Sequence, residues 1–243
     1  MLKYYSTKQK RKLISNIVIY SIFVGMVFYY AVLKSSNKSF SIFLIVLAIL
    51  AIAGCLYYEY LNWHYVKVLY ILNLEIDPKK ALGEFEKLIK IDFTNTYKRD
   101  RALVDVAIYS AMKDEEKVID IIDKNDERFR SSIEMLVVRN YYLMKAYLSF
   151  KDYDRVEALY QDIKAVEKMK KHPEPIPLNI YHGYHYIAVS NMNKAYDAFK
   201  EIDRTKLNPK EQKEVLERLI ETSKKEAQKE KYRKELSALP HPE

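Results

Sequence analysis

The first sixty residues contain two long stretches without a charged side chain. Residues 13–33 read LISNIVIYSIFVGMVFYYAVL, and residues 40–58 read FSIFLIVLAILAIAGCLYY. A helix rises 1.5 Å per residue, so each stretch would form a helix about 30 Å long, which is the thickness of a hydrocarbon core. Two such stretches in succession do not fit a cleaved signal peptide, whose apolar region is shorter. We therefore predict a membrane anchor over residues 1–60 with two transmembrane helices, at 13–33 and 40–58.

The distribution of Lys and Arg predicts how this anchor is oriented. Five basic residues precede the first stretch, whereas the short connection at 34–39 carries two. Basic flanks stay in the cytoplasm, so both termini are expected to be cytoplasmic in a cell-membrane protein with two spans. The lipid bilayer is therefore one predicted partner.

The net charge of +8 is concentrated beside these stretches. Residues 1–60 contain seven basic residues and one acidic residue, whereas the rest of the chain contains 34 basic and 32 acidic residues. A basic face for phosphate backbones would require the excess charge in the soluble part. We therefore predict no nucleic-acid partner.

Beyond residue 60 the sequence has helical periodicity and repeats one pattern. A small or β-branched residue recurs at intervals of 37, 38 and 39 residues: Ala81, Val118, Val156 and Ala195. Four residues later comes a larger side chain: Phe85, Ile122, Tyr160 or Phe199. Four residues earlier comes a helix-capping residue: Asp77, Asp114, Asp152 or Asn191. The pattern predicts helix–turn–helix units that bury their faces by stacking on one another.

This pattern resembles the tetratricopeptide repeat (TPR), a helical-pair solenoid. The residues at the family's Tyr, Ala and Phe positions are Tyr109, Val118, Ile122; Tyr147, Val156, Tyr160; and Tyr186, Ala195, Phe199. Gly183 stands at the family's small-residue position, but the period exceeds the family's 34 residues. The resemblance implies an all-α fold with a TPR-like solenoid over residues 61–207, after the transmembrane hairpin. An unrelated helical bundle with coincident spacing is the alternative.

Residues 208–243 are predicted to form a capping helix and a charged tail. Asn208 and Pro209 read as the start of a helix, and Val215, Leu216 and Leu219 lie on one apolar stripe. The charged segment that follows is expected to project into solvent. A Pro-rich connector is predicted at 171–179, between the second and third helical pairs.

No catalytic site, metal site or cofactor is predicted. The four glycines are dispersed, so no phosphate-binding glycine loop is present, and the single cysteine, Cys55, lies in an apolar stretch. His182 and His185 could share a helix face, but two ligands do not complete a zinc site, and we interpret them as packing residues.

The resemblance places a partner-binding groove on the first helices of the pairs. The groove residues it implies are Tyr141, Lys145, Tyr184 and Ile187. Tyr is common in protein-recognition sites, and the lysine favours an acidic or amphipathic helix as ligand. We predict a non-enzymatic, membrane-anchored adaptor that binds a peptide, a helix or a membrane protein. The alternatives are an accessory subunit of a transporter or envelope-polymer complex that uses its spans, and an enzyme with an unrecognised site.

Overall fold

The structure is a computed structural model that describes residues 4–34, 38–169 and 176–240. It is all-α, with no strand in these ranges, as predicted. The predicted connection at 34–39 and the Pro-rich connector at 171–179 lie partly outside the described residues.

Twelve α-helices occur in the described ranges. They are α1 (Thr7–Phe28), α2 (Lys38–Tyr70), α3 (Pro78–Ile91), α4 (Arg101–Met112), α5 (Glu115–Lys124), α6 (Asp126–Phe129), α7 (Ile133–Ser149), α8 (Tyr153–Glu167), α9 (Leu178–Ala188), α10 (Met192–Lys200), α11 (Pro209–Thr222) and α12 (Glu226–Ser237). π-Helical turns continue α1 over Tyr29–Lys34 and α2 over Ile71–Glu75. The chain divides into two compact units, Met1–Tyr70 with Glu84–Thr94, and Ile71–Gly83 with Asn95–Glu243.

The first unit contains the two apolar helices. Gln9–Ala31 and Lys38–Glu75 are long and apolar enough to cross a membrane, and they enclose most of the two predicted stretches. Most of their large apolar side chains are exposed in the part of the chain that the structure describes. The amide of Asn16 in α1 donates a hydrogen bond of 2.6 Å to the Glu59 carboxylate in α2. This bond fixes the register of the two helices at one end of the apolar stretches.

In the second unit one turn is built three times. The backbone N–H of Asp114 donates to the Tyr109 carbonyl at 3.0 Å, and Lys113 between them has φ of 60°. The same six-residue closure joins Asp152 to Tyr147 at 2.9 Å, and Asn191 to Tyr186 at 2.7 Å. The residues before these caps, Lys151 and Ser190, also have left-handed backbones with φ of 59°. This is the Schellman ending of a helix, which satisfies its last carbonyls and reverses the chain.

The predicted helix caps are confirmed. The side chains of Asp114, Asp152 and Asn191 each accept a hydrogen bond from the backbone N–H three residues later, at 3.2–3.3 Å. Asp77 does the same at the start of α3, at 2.9 Å. One residue therefore closes the preceding helix with its N–H and opens the next helix with its side chain. That double role explains why Asp or Asn recurs at this position.

The repeated apolar positions form the cores of these pairs. Val118, Val156 and Ala195 are completely buried, and their larger partners four residues later are buried beside them. α4 packs on α5, α7 on α8, and α9 on α10, while contacts of α5 with α7 and of α8 with α9 join neighbouring pairs. Gly183 in α9 lies directly under the ring of Phe199 in α10, at a distance that leaves no room for a side chain.

The C-terminal residues continue the same core. Asn208 caps α11 in a reciprocal capping box with Glu211, and Pro209 is the first helical residue, as predicted. The expectation that the charged segment projects into solvent is wrong for α12. This helix packs on α11, and its Tyr232 is buried, with its hydroxyl 3.0 Å from that of Tyr196. Leu236 also packs against the core, and Glu235 forms an ion pair with Arg204, so a few contacts in a mostly polar sequence attach this helix to the unit.

Candidate functional site

The predicted groove residues lie on α7 and α9, the first helices of two successive pairs. The rings of Tyr141 and Tyr184 stack with their centroids 6.2 Å apart and an interplanar angle of 22°. Tyr141 is 8% exposed and Tyr184 is completely buried. Lys145, one helical turn after Tyr141, has a side chain that is 14% exposed. Ile187, one turn after Tyr184, is buried in the core of the unit.

One carboxylate joins three of these four residues. Glu214 in α11 accepts hydrogen bonds from the hydroxyls of Tyr141, at 2.7 Å, and Tyr184, and from the ammonium of Lys145 at 3.1 Å. Burial opposes ionisation of Glu214, yet the charge of Lys145 and the two hydroxyls outweigh it and lower its pKa to about 2. Glu214 is therefore a charged acceptor with three donors, and its side chain is only 12% exposed.

The tyrosines are held as neutral donors. Burial, and then the negative charge of Glu214, raises the pKa of both Tyr141 and Tyr184 well above its usual value. Arg218, one turn after Glu214, places its guanidinium 5.3 Å from the centre of the Tyr184 ring. Burial disfavours the charge of Arg218, but Tyr184 and Glu221 outweigh that effect and raise its pKa. The groove surface thus combines two stacked tyrosine rings with acidic and basic side chains that neutralise one another.

Helix α11 therefore occupies the face that the sequence assigned to a partner. It also contacts the Ile71–Glu75 turn, and its Glu217 lies 3.7 Å from Lys113. The chemistry of this occupant is that of the expected ligand, an amphipathic helix with a central acid, but the helix belongs to the same chain. Binding of a partner in the groove stays a prediction, and it would require α11 to move.

Glu214 is the residue of this site that the sequence did not indicate. It lies in a segment where Lys and Glu alternate, and its partners Tyr141 and Tyr184 precede it by 73 and 30 residues. The only local indication that Glu214 faces the core is its position one residue before the apolar Val215. That position places Glu214 at the edge of the apolar stripe that α11 buries.

A cavity of about 630 Å³ lies beside this network, between α4, α7, α11 and α12. Its wall includes six cationic and four carboxylate side chains. Two lining residues, Ser110 and Glu115, each have a buried side-chain oxygen without a hydrogen-bond partner among the described residues. Burial raises the pKa of Glu115, and the charge of Lys145 partly opposes that effect.

His182 and His185 both contact Tyr160 and have different hydrogen-bond partners. Nδ1 of His182 lies 2.7 Å from the Tyr160 hydroxyl, and Nδ1 of His185 lies 2.5 Å from a Glu157 carboxylate oxygen. The His185 ring also stacks on Tyr160, with the centroids 4.1 Å apart. Within the described ranges, no three His, Cys, Asp or Glu side chains lie close enough to hold a metal ion.

Exposed apolar side chains recur at the turns of two successive pairs. Phe150 and Tyr153 flank the turn between α7 and α8, and Val189 and Met192 flank the turn between α9 and α10. The two pairs of residues stand 39 positions apart, at the same places in the repeat. All four are exposed, although the residues around them are polar or buried.

No protein-family model matches the chain, and no curated protein or solved structure matches it either.

Proposed function

We propose that this chain is a membrane-anchored adaptor: two spans hold a TPR-like helical-repeat unit at the cytoplasmic face, where it binds and localises or regulates a partner protein. The partner is a membrane protein or a component of a cell-envelope complex. Both termini are cytoplasmic, in line with the excess of Lys and Arg before the first apolar stretch. Two helices of sufficient length and apolarity support the anchor.

The repeated turn supports the solenoid part of this proposal. Three successive pairs end their first helix on a Tyr carbonyl, reverse through a left-handed residue and cap the next helix with Asp or Asn. Equal turns give equal angles between the helices of each pair, which is what stacking into a regular array requires. Packing of neighbouring pairs through α5 with α7 and α8 with α9 agrees with such an array.

The observation that carries the adaptor role is the row of exposed apolar side chains at the turns. Exposed apolar groups that recur together commonly mark protein interaction sites, because their burial on a partner removes them from water. Phe150, Tyr153, Val189 and Met192 are such a set, and we call it the turn edge. The turn edge is open, whereas the groove tyrosines already contact α11. We therefore expect the partner to dock on the turn edge.

The test uses site-specific photocrosslinking with the full chain in its native membrane. A photoreactive residue at Tyr153 should form one dominant protein adduct, and the same residue at Lys200, which is exposed but outside the turn edge, should not. A third probe at Ile22, on the exposed surface of α1, reports contacts made by the spans. Adducts from Ile22 alone would contradict the turn edge and favour the accessory-subunit alternative.

Matched variants then show whether the apolar side chains themselves cause the binding. Phe150→Ser with Val189→Ser should abolish the Tyr153 adduct without lowering the melting temperature, because both side chains are exposed. An adduct that persists undiminished in this double variant would refute recognition through the turn edge.

A further inference from the structure

The cavity beside α11 has more cations than its own carboxylates neutralise. Three of the four carboxylates in its wall already have a cationic partner there: Glu214 with Lys145 at 3.1 Å, Glu217 with Lys113 at 3.7 Å, and Glu221 with Arg218 at 2.6 Å. Lys210 and Lys213 remain, together with Arg233, whose nearest carboxylate oxygen among the described residues is 3.7 Å away. The cavity therefore has an excess of positive charge that is not paired inside it.

Lys210 and Lys213 are neighbours on the first turns of α11, at positions i and i+3 of the helix. The Lys210 ammonium lies 3.4 Å from the Ala107 carbonyl in the middle of α4, and neither lysine forms an ion pair with a described residue. Burial and the nearby charge of Lys145 lower the pKa of Lys210 to about 8. The carboxylates of Glu214 and Glu211 oppose this shift, but neither forms an ion pair with the half-buried ammonium, and an anion placed beside it would oppose the shift further.

The wall of the cavity also contains polar groups that the fold leaves unsatisfied. Ser110 is 2% exposed, and its hydroxyl has no hydrogen-bond partner among the described residues. One carboxylate oxygen of Glu115 is buried and equally without a partner. Buried polar groups in native proteins are nearly always paired, so two unpaired groups in the wall of one cavity point to a missing partner. Ser110 follows Ala107 by one helical turn, which puts it near the Lys210 ammonium.

We propose that this cavity binds a phosphorylated small molecule that also carries hydroxyl groups, such as a nucleotide or a sugar phosphate. Lys210 and Lys213 hold its phosphate, while Ser110 and Glu115 hydrogen-bond to the rest of the molecule. The volume of about 630 Å³ lies within the range of ligand pockets, roughly 300–1,000 Å³. This inference goes beyond the adaptor role, because the site is separate from the turn edge and requires no protein partner.

Calorimetric titration and thermal melting of the full chain in phospholipid-free detergent micelles test the site. The probes are adenosine triphosphate, glucose 6-phosphate, inorganic pyrophosphate and unphosphorylated adenosine, at constant ionic strength. At least one of the two phosphate esters should bind saturably and raise the melting temperature, and adenosine should do neither. Pyrophosphate that binds as tightly as the esters would overturn the role of the hydroxyl groups. Absence of saturable binding by both esters up to millimolar concentration would overturn the site.

Two variants separate this site from general attraction to positive charge. Lys213→Gln removes one charge-assisted hydrogen bond and should weaken ester binding about tenfold or more. Lys206→Gln is the control, because this lysine has the same charge but lies outside the cavity wall and is 80% exposed. Equal losses in these two variants would refute a specific phosphate site.

Ser110→Ala provides a readout that a structural defect cannot imitate. The ligand-free variant should melt at or above the temperature of the unmodified protein, because an unpaired buried hydroxyl has been removed. Its ester affinity should nevertheless fall severalfold. An unchanged ester affinity in Ser110→Ala would exclude this serine from the site, and with it the placement of the ligand against α4.

Discussion

A single methyl group at Gly183 should destabilise the second unit. A Cβ built on Gly183 would lie 2.4–2.6 Å from three ring carbons of Phe199, where ordinary carbon contacts are about 3.5–4.0 Å. Phe199 cannot retreat, since it is 1% exposed and packs edge-on against Tyr184 with the ring centroids 6.0 Å apart. The change Gly183→Ala must therefore separate α9 from α10 or force the Phe199 ring out of its rotamer.

Two opposing effects determine the size of the loss. Overpacking a core by one carbon costs about 1–3 kcal/mol, whereas Ala in place of Gly favours a helix by about 0.5–1 kcal/mol. The overlap here is about 1 Å or more on the distances above, so the first effect dominates and leaves a net loss of about 1–2 kcal/mol. For a unit of this size, 1 kcal/mol lowers the melting temperature by about 2–4 °C, which gives a decrease of roughly 2–8 °C.

The control is Gly83→Ala, because Gly83 also lies inside a helix of the second unit but has no atom within 4 Å of the added Cβ. Helical circular dichroism of the full chain in micelles should show a small rise in melting temperature for Gly83→Ala and a fall for Gly183→Ala. Amide hydrogen exchange should locate the loss in α9 and α10. Combining Gly183→Ala with Phe199→Leu should recover part of the loss, since the smaller side chain vacates the overlap. Two glycine variants with the same melting temperature would refute the packing argument.

Three further predictions concern charge, the anchor and its orientation. The pKa of Glu214 is lowered from 4.5 to about 2, so its contribution to stability is complete above pH 4.5 and lost as the pH falls towards 2. In urea titrations, Glu214→Gln should therefore flatten the dependence of the unfolding free energy on pH between these values. An unchanged dependence would contradict the network. Asn16→Leu removes the hydrogen bond between the two apolar helices and should lower the unfolding force of the anchor in single-molecule pulling, while an unchanged force would show that this bond adds nothing. In a Cys55→Ser background, a cysteine at Ser39 should react with an impermeant maleimide added outside whole cells, and one at Lys224 should not; the reverse pattern would invert the proposed topology.

The local features of the fold could be predicted from the sequence because a few neighbouring residues determine them. The turn between α4 and α5 needs a cap at Asp114, a left-handed residue at Lys113 and a helical carbonyl at Tyr109, all within six positions. The intervals of 38 and 39 residues therefore indicate the same turn at Asp114, Asp152 and Asn191, whereas Asp77 closes on the Ile71 carbonyl, six residues earlier. The apolar helices were predictable for a similar reason, since length and lack of charge are properties of one segment.

The docking of α11 and α12 could not be predicted in this way. Tyr141 and Glu214 are separated by 73 positions, and no local pattern connects a tyrosine in one helix to a glutamate in a segment rich in Lys and Glu. The burial of Tyr232 could not be predicted for the same reason, because its contact with Tyr196 joins residues that are 36 positions apart in mostly polar sequence. Local periodicity assigns each helix a buried face, but it does not state which other helix covers that face.

The network around Glu214 also restricts what could ever replace α11 in the groove. A competing helix without an acid at this place would leave the Lys145 ammonium and the hydroxyls of Tyr141 and Tyr184 buried without an acceptor. Each unsatisfied group costs about 1–3 kcal/mol, and the charged ammonium costs more. We therefore expect the groove to disfavour an apolar helix however well it packs, whereas the proposed turn edge would favour one. Under the proposed function the two surfaces would select partners of opposite chemistry, and we expect only a helix with an acid at this place to compete with α11.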